Sequence, residues 1–206
     1  MPTSATPTKR LKHLPGVAGL DEAGRGPLAG PVFAAAVILP KGFNCKGLND
    51  SKQLEPEARE ELAVRIKAKA LWAVSFAEVE EIERLNILWA SMAAMSRAYH
   101  ALSVRAERVL VDGNKAPREL PWAEPVVKGD GRFACIAAAS ILAKTERDRH
   151  MRQMSELYPN YGFDRHYGYP TPEHFEAIER HGPCPIHRMS FSPFRVDEQL
   201  CLTFDE

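Results

Sequence analysis

Three short apolar segments of this chain each end in acidic residues that lie close to a glycine. The acids concerned are Asp21 and Glu22 after residues 17–20, Asp112 after residues 108–111, and Asp130 after residues 126–127. Because strand ends cluster in a sheet and functional residues gather there, we expect the four carboxylates to meet. Their oxygens suit a hard divalent cation, Mg²⁺ or Mn²⁺. Each acid taken singly is also explained as a solvated turn residue, because Asp-Gly favours turns.

Strand-like and helix-like segments alternate along the chain. Short apolar runs predict strands at 17–20, 31–39, 71–79, 108–111 and 125–127. Helices are predicted at 56–70, at 85–102 with apolar residues in 3-4-3-4-3 spacing, at 133–157, and after the N-cap Thr171. This order indicates an α/β or α+β domain with a mixed sheet. We expect one domain, residues 16–206, behind a disordered tail, residues 1–15, rich in proline, threonine, serine and lysine.

The composition is that of an ordinary soluble globular protein, with 45% hydrophobic and 26% charged residues. The 27 basic residues balance 27 acidic ones, whereas a protein that only coats DNA is usually strongly basic. The N-terminus has no apolar stretch like that of a signal peptide, and no apolar run approaches the roughly 20 residues that span a bilayer. The four cysteines are scattered. We therefore expect a cytoplasmic protein with reduced thiols and no membrane association.

Longer motifs connect these segments to a known family. They read GLDEAGRGPLAGPV at 19–32, GLNDSKQL at 47–54, VLVDGNK at 109–115, VVKGDGR at 126–132, AAASILAKTERDR at 137–149, YPNYGFDRHYGYPTPEH at 158–174 and HRMSFSPFR at 187–195. With these motifs in this order, the chain resembles bacterial ribonuclease HII, the type 2 ribonuclease H family. The resemblance runs from about residue 16 to residue 196 and so covers nearly the whole chain.

The resemblance implies a ribonuclease H-like fold, a mixed sheet flanked by helices, with a C-terminal helical extension at about residues 158–200 that helps to hold substrate. It implies hydrolysis of the RNA strand of RNA–DNA hybrids and incision of DNA duplexes 5′ to embedded ribonucleotides, during replication and repair. Two-metal-ion catalysis with Mn²⁺ or Mg²⁺ would leave 3′-hydroxyl and 5′-phosphate ends. We expect a monomer; a replication clamp is a further candidate partner, for which QLCLTF near the C-terminus has a loosely suitable pattern.

The same resemblance assigns roles to individual residues. The metal-binding carboxylates of the family are matched by Asp21, Glu22 and Asp112, and its fourth acid by Asp130. Gly24-Arg25-Gly26 matches the loop that follows the backbone at the ribonucleotide and senses its 2′-hydroxyl. Tyr169 matches the tyrosine that stacks on the sugar after the junction. Tyr167 departs from the family pattern, because many members carry lysine at this position. This departure puts one contact with the backbone of the nucleic acid in doubt.

The chemistry of these side chains agrees with the assigned roles. A 2′-hydroxyl both donates and accepts a hydrogen bond, and the backbone of a glycine-rich loop can approach it without obstruction by a Cβ. Arg25 adds a planar donor fork suited to phosphate. Lys52 and Lys128 are candidate phosphate contacts, although an exposed lysine more often faces solvent. Tyr169 has a plainer alternative, a tyrosine that fills the surface of a loop.

Several features have a second interpretation. The glycines after the first acids have the spacing G-x-G-x-x-x-G, which departs from the dinucleotide-binding fingerprint. His181, Cys184 and His187 lie close enough in sequence to suggest zinc but have no second ligand pair. Asp148 lies between arginines in a charged helix, which predicts a surface salt bridge. Two rival functions are a junction resolvase, which would cut all-DNA substrates, and a nucleic-acid-binding module whose acids are structural.

Overall fold

The computed structural model describes residues 11–194. Its strands are β1 (Val17–Ala23), β2 (Val32–Ile38), β3 (Leu71–Ala77), β4 (Arg108–Asp112) and β5 (Glu124–Val126). They form one sheet in the order β3-β2-β1-β4-β5. β2 is antiparallel to both β1 and β3, whereas β1, β4 and β5 run parallel. The mixed sheet expected from the sequence is confirmed.

Helices cover both faces of this sheet. They are α1 (Pro56–Lys69), α2 (Val79–His100), α3 (Ala134–Leu157), α4 (Phe163–His166) and α5 (Pro172–His181), with 3₁₀ turns at Ser51–Gln53 and Pro159–Tyr161. On the α2 side the apolar core includes Leu20, Ala36 and Val111. α1 and α3 pack on the other side. The chain from Pro159 to His181 forms a helical extension that packs on α3 through Tyr161 and Phe163.

The contact between β1 and α3 is a backbone contact at Gly19. A Cβ at this position would overlap the backbone of Cys135 and Ile136 at the start of α3. The first half of α3 is largely alanine, and these small side chains let the helix lie close to the strand. Because β1 carries Asp21 and Glu22 just beyond Gly19, the contact also sets the distance of α3 from the acidic pair.

The boundary between β3 and α2 differs from the predicted one. β3 ends at Ala77 and α2 begins at Val79, so the end of the predicted strand belongs to the next helix. Asn86, with φ 65° and ψ 164°, interrupts α2. Its Oδ1 accepts hydrogen bonds from the backbone N–H groups of Leu88 (3.0 Å) and Trp89 (3.3 Å). Asn86 therefore caps the second part of the helix, close to where the regular apolar spacing begins.

Part of the expected N-terminal tail is packed against the domain. The Lys12 backbone N–H donates to the Arg132 carbonyl (2.8 Å), and the Ala134 N–H donates to the Lys12 carbonyl (3.0 Å). Leu14 packs on a small core beside β4 and α3. The prediction of disorder is therefore wrong for residues 11–15, because these backbone bonds join them to the start of α3. Residues 1–10 and the QLCLTF segment lie outside the described range.

None of the helices within residues 11–194 is long and apolar enough to cross a membrane. The longest, α3, has an apolar first half and a strongly charged second half. No disulfide bond is present in the same range.

Candidate active site

The acids that end the apolar segments lie at one edge of the sheet. β1 and β4 run parallel in a register that places Asp21 and Asp112 next to each other on neighbouring strands. Asp112 pairs with Val126 of β5, and the turn after this strand carries Asp130. The expectation that carboxylates at successive strand ends meet at the same edge therefore agrees with the observed topology.

These acids share one cavity of about 450 Å³ with the predicted substrate residues. Its lining residues are Asp21, Glu22, Ala23, Gly24, Arg25, Gly26, Ser51, Lys52, Asp112, Asp130, Ser140, Lys144 and Tyr169. Lys128 is the one predicted site residue that does not line it; this residue is exposed, with φ 54°. Sequence reasoning missed Ser51, Ser140 and Lys144, because a serine or a lysine in a helix or a short turn carries no distinctive pattern.

Asp21 lies in an environment that opposes its negative charge. Its side chain is almost completely buried, with 5% of the residue exposed. Desolvation raises the pKa of Asp21 well above its usual value, and repulsion from Glu22 and Asp112 raises it further. A hydrogen bond from Ser140 opposes these effects. Without a cation, burial and the neighbouring acids therefore make the ionised state of Asp21 unfavourable.

Glu22 and Asp130 are shifted in the same direction. Desolvation raises the pKa of Glu22, although Arg25 partly offsets it, with Nη1 3.3 Å from the carboxylate. Desolvation is also the largest cause of the raised pKa of Asp130, followed by repulsion from Asp112. Acids crowded in this way are stabilised by a divalent cation, and oxygen donors are the ligands that Mg²⁺ and Mn²⁺ prefer. The donor set therefore fits a hard divalent cation.

The same acids are not gathered into a preformed metal cage. Within residues 11–194, no three histidines, cysteines or acids form a group that holds a metal ion as it stands. The pairing of β1 with β2 continues without interruption to Ala23. Asp21 and Glu22 therefore alternate across the strand. The Asp112 Oδ1 accepts a hydrogen bond from the Gly129 N–H at 2.7 Å.

Two buried arginines hold the segment between β1 and β2. Arg188 donates to the backbone carbonyl oxygens of Gly24, Arg25, Pro27 and Gly30. Arg147 donates to those of Ala29, Pro31 and Tyr167. Neither residue was assigned a role from the sequence, although Arg188 lies in the matched motif HRMSFSPFR. Both arginines bond main-chain carbonyl groups, and no side-chain type in the sequence marks such partners.

Tyr169 lines the cavity beside the Gly24–Gly26 loop. The Lys144 Nζ lies 5.3 Å and the Arg147 guanidinium 5.7 Å from the centroid of its ring. The Tyr169 carbonyl oxygen lies 3.0 Å from the Nδ1 of His174 in α5. Two cations from α3 thus contact the aromatic ring, and α5 contacts the backbone of the same residue.

Comparison with known proteins agrees with this geometry. The model of the family Ribonuclease HII matches residues 18–193. The chain belongs to the ribonuclease HII family. A ribonuclease HII from Dechloromonas aromatica is 60% identical over 188 residues, which are 90% of this chain and 94% of that protein.

Solved structures of the ribonuclease HII type share the fold. Ribonuclease H2 from Pyrococcus horikoshii has a TM-score of 0.71 at 26% identity, with 86% of this chain and 94% of that chain covered. The ribonuclease HII of the PCNA:RNase HII complex from Archaeoglobus fulgidus has a TM-score of 0.71 at 25% identity, with 89% and 98% covered. The chain is thus a ribonuclease H with the ribonuclease H-like fold, an endonuclease of the hydrolase class, and divalent-metal dependence is general in the family.

In this member of the ribonuclease HII family, Asp148 is not the surface residue that the sequence suggested. It is 1% exposed and accepts hydrogen bonds from Arg59 (3.2 Å) and Lys144 (2.7 Å). Arg59 also donates to the carbonyl oxygen of Ser51, beside the cavity. The prediction of a salt bridge was right and that of a surface position was wrong, because α1 covers this part of α3.

Three buried histidines support the C-terminal extension beneath Tyr169. His174 Nε2 and His187 Nε2 lie 3.1 Å apart, and the ring of His166 stacks on that of His174 at 4.5 Å. Burial lowers the pKa of all three, that of His174 to about 4. The zinc set considered from the sequence, which included His181, is not assembled among the described residues.

Acidification is expected to destabilise this histidine cluster. A histidine whose pKa is lowered by folding contributes stability that is complete above the ordinary pKa of 6.5 and is lost as the pH falls toward about 4, because the unfolded chain takes up the proton first. Melting temperatures between pH 7.5 and 4.5 would show a shallower decline for His174→Gln than for the wild type. The exposed His181→Gln is the control and keeps the wild-type decline. An unchanged decline in His174→Gln would contradict the assignment.

Proposed function

We propose that this chain, beyond the ribonuclease H activity on RNA–DNA hybrids that comes with its family, incises DNA duplexes on the 5′ side of embedded ribonucleotides. The observation that carries the proposal is that the Gly24–Gly26 loop and the four carboxylates line the same cavity. A nucleotide held against this loop lies within reach of the acids. Selection of the sugar and cleavage of the neighbouring phosphodiester are thereby joined in one site.

The side chains around the loop divide the tasks of substrate binding. A 2′-hydroxyl is the local feature that separates a ribonucleotide from its DNA neighbours, and the glycine backbone allows close approach to it. Arg25 and Lys52 supply positive charge for the phosphates on either side. The ring of Tyr169 offers a flat face for a sugar or base and is contacted by Lys144 and Arg147, whereas His174 lies against the Tyr169 backbone carbonyl.

The carboxylates supply the reactive side of the cavity. Asp21, Glu22, Asp112 and Asp130 would hold one or two Mn²⁺ or Mg²⁺ ions, and an ion bound by Glu22 would compete with the pair that Glu22 forms with Arg25. Ions held there would supply positive charge to the attacking oxygen and to the leaving 3′ oxygen of the phosphodiester, and departure of the 3′ oxygen would leave 3′-hydroxyl and 5′-phosphate ends. Arg25, once released, is available to a substrate phosphate. Glu22 would then bind the ion and Arg25 would bind a phosphate of the substrate, in place of the ion pair that they form with each other.

One assay tests the proposal against its rivals. The wild type is expected to cut a DNA duplex that contains a single ribonucleotide when Mn²⁺ or Mg²⁺ is present, and to leave an all-DNA duplex intact. Product ends are read by ligation and phosphatase treatment. Cleavage of the all-DNA duplex would favour a junction resolvase, and binding without turnover in any metal would favour a module with structural acids.

Replacement of Asp112 by asparagine tests the role of the acids. Cleavage is expected to fall by about a hundredfold or more, because a charged oxygen ligand is lost where electrostatic stabilisation is concentrated. Duplex binding, measured by fluorescence anisotropy in EDTA, is expected to stay close to that of the wild type. Full cleavage activity in Asp112→Asn would exclude this residue from metal binding.

A further inference from the structure

Arg188 is a buried cation without an acidic partner. The residue is fully buried behind the Gly24–Gly26 loop, and within residues 11–194 no carboxylate forms an ion pair with it. Desolvation lowers the pKa of its guanidinium. Burial of a charge is unfavourable unless hydrogen bonds replace the lost water. The bonds that do so at Arg188 all go to main-chain oxygens of one loop.

These bonds determine which way the peptide groups of the loop face. The Arg188 Nη2 lies 2.7 Å from the Gly24 carbonyl oxygen, and Nη1 lies 3.2 Å from the Arg25 and 2.9 Å from the Pro27 carbonyl oxygens. In a trans peptide the C=O and N–H of one plane point in opposite directions. The N–H groups of Arg25 and Gly26 share planes with the Gly24 and Arg25 carbonyls, so they point away from Arg188.

The backbone N–H groups of Arg25 and Gly26 have no acceptor in the part of the chain that the structure describes. Arg25 and Gly26 both line the cavity, and neither backbone N–H donates to an acceptor among residues 11–194. The N–H of Leu28 differs, because it donates to the Gly168 carbonyl at 2.8 Å. Unpaired backbone donors that border a cavity are available to a ligand oxygen.

We propose that Arg188 is a positioning residue that sets the direction of the 24–26 peptides and thereby the preference of the site for a 2′-hydroxyl. The inference rests on the proposed function, because it explains how the loop of that site selects its sugar. Arg188 does not touch substrate in this scheme. It turns the carbonyl oxygens inward, and the N–H groups of Arg25 and Gly26 are thereby presented to the oxygen at the 2′ position.

Arginine is required for this role because of its geometry. Its guanidinium is a planar fork with donors on three nitrogens, so it can bond several carbonyl oxygens at once. A lysine ammonium keeps the charge but is a compact point without the fork. Arg188→Lys therefore removes the hydrogen bonds that orient the peptide groups of the loop but keeps the positive charge.

The test compares cleavage of two DNA duplexes that differ in one substituent. One carries a single ribonucleotide, and the other carries a 2′-fluoro nucleotide at the same position; single-turnover rates are measured with Mn²⁺ for each variant. In Arg188→Lys we expect the ratio of the two rates to fall by about tenfold or more, since loss of one directed hydrogen bond is worth roughly that factor. A ratio equal to that of the wild type would overturn the inference.

A stability control separates positioning from general loosening of the fold. Met95→Ala creates a cavity in the buried core on the α2 side of the sheet and touches neither the loop nor Arg188. Both variants are assayed below their melting temperatures. An unchanged ratio in Met95→Ala, beside a reduced ratio in Arg188→Lys, supports the inference. A similar reduction in both variants overturns it.

A second pair of variants tests the loop directly and remains informative if Arg188→Lys does not fold. Gly26→Pro removes the Gly26 N–H, whereas Gly26→Ala retains it, and a Cβ there would lie 3.9 Å from the ring of Tyr169, an ordinary contact. A lower ratio in Gly26→Pro than in Gly26→Ala supports presentation of this N–H, and equal ratios overturn it. Failure of the wild type to cut the ribonucleotide duplex would instead overturn the proposed function.

Discussion

Asp21→Asn is expected to lower the cleavage rate by about a thousandfold and, in the same molecule, to raise the melting temperature in EDTA. The rate falls because the stabilisation by a metal ion is worth several kcal/mol, and each 1.4 kcal/mol changes a rate about tenfold. The melting temperature rises because folding raises the pKa of Asp21, so that the ionised side chain destabilises the folded state at neutral pH. Asparagine removes the charge and keeps the shape.

The direction of the stability change follows from proton linkage. A protein in which folding raises the pKa of an acid loses stability as the pH rises from the ordinary pKa of that acid, here 3.8, to its raised pKa. At higher pH the full penalty remains. The difference in melting temperature between Asp21→Asn and the wild type should therefore be larger at pH 8 than at pH 4. Added Mn²⁺ should stabilise the wild type more than the variant. A variant less stable than the wild type in EDTA at pH 8 would contradict this account.

Asp148→Asn is expected to act in the opposite way, with a loss of about 3–5 kcal/mol in the free energy of unfolding. The Asp148 carboxylate is buried between Arg59 and Lys144, and its loss leaves both cations in the interior without their anion. For a domain of this size the melting temperature should fall by on the order of 10 °C. Chemical denaturation in urea gives the free energy directly.

An exposed ion pair provides the matched control for Asp148. Glu124 pairs with Arg108 at 2.7 Å, but about half of each side chain is exposed to solvent. Glu124→Gln removes one carboxylate in the same way, and little change in stability is expected because water screens the pair. Equal losses in the free energy of unfolding of the two variants would show that burial does not strengthen the contribution of Asp148 to stability.

The sequence was sufficient to predict that acids at successive strand ends lie close together, as they do in the lining of one cavity. Asp21, Asp112 and Asp130 each follow an apolar segment, and the ends of parallel strands meet at one edge of a sheet, so their proximity follows from the pattern. The long motifs indicated the family and assigned a substrate-binding role to the loop at residues 24–26. Sequence also indicated the mixed sheet, because strands and helices alternate along the chain.

The sequence was insufficient where a contact joins a side chain to distant backbone. Arg188 and Arg147 bond carbonyl oxygens, and every residue carries a carbonyl, so no residue type marks the partner. Asp148 was assigned to the surface because its neighbours in sequence are charged; its burial depends on α1, which lies about 90 residues earlier.

The bond between Arg188 and the Gly24 carbonyl joins residues that are 164 positions apart. A ribosome adds about 5–20 residues per second, so the two partners are synthesised roughly 8–30 s apart. During translation the strand with Asp21 and Glu22 leaves the ribosome long before the arginine that shapes the adjoining loop. The nascent chain therefore carries Asp21 and Glu22 before Arg188 can bond the adjoining loop, so the selectivity proposed for this loop would be complete only after the segment with Arg188 has docked.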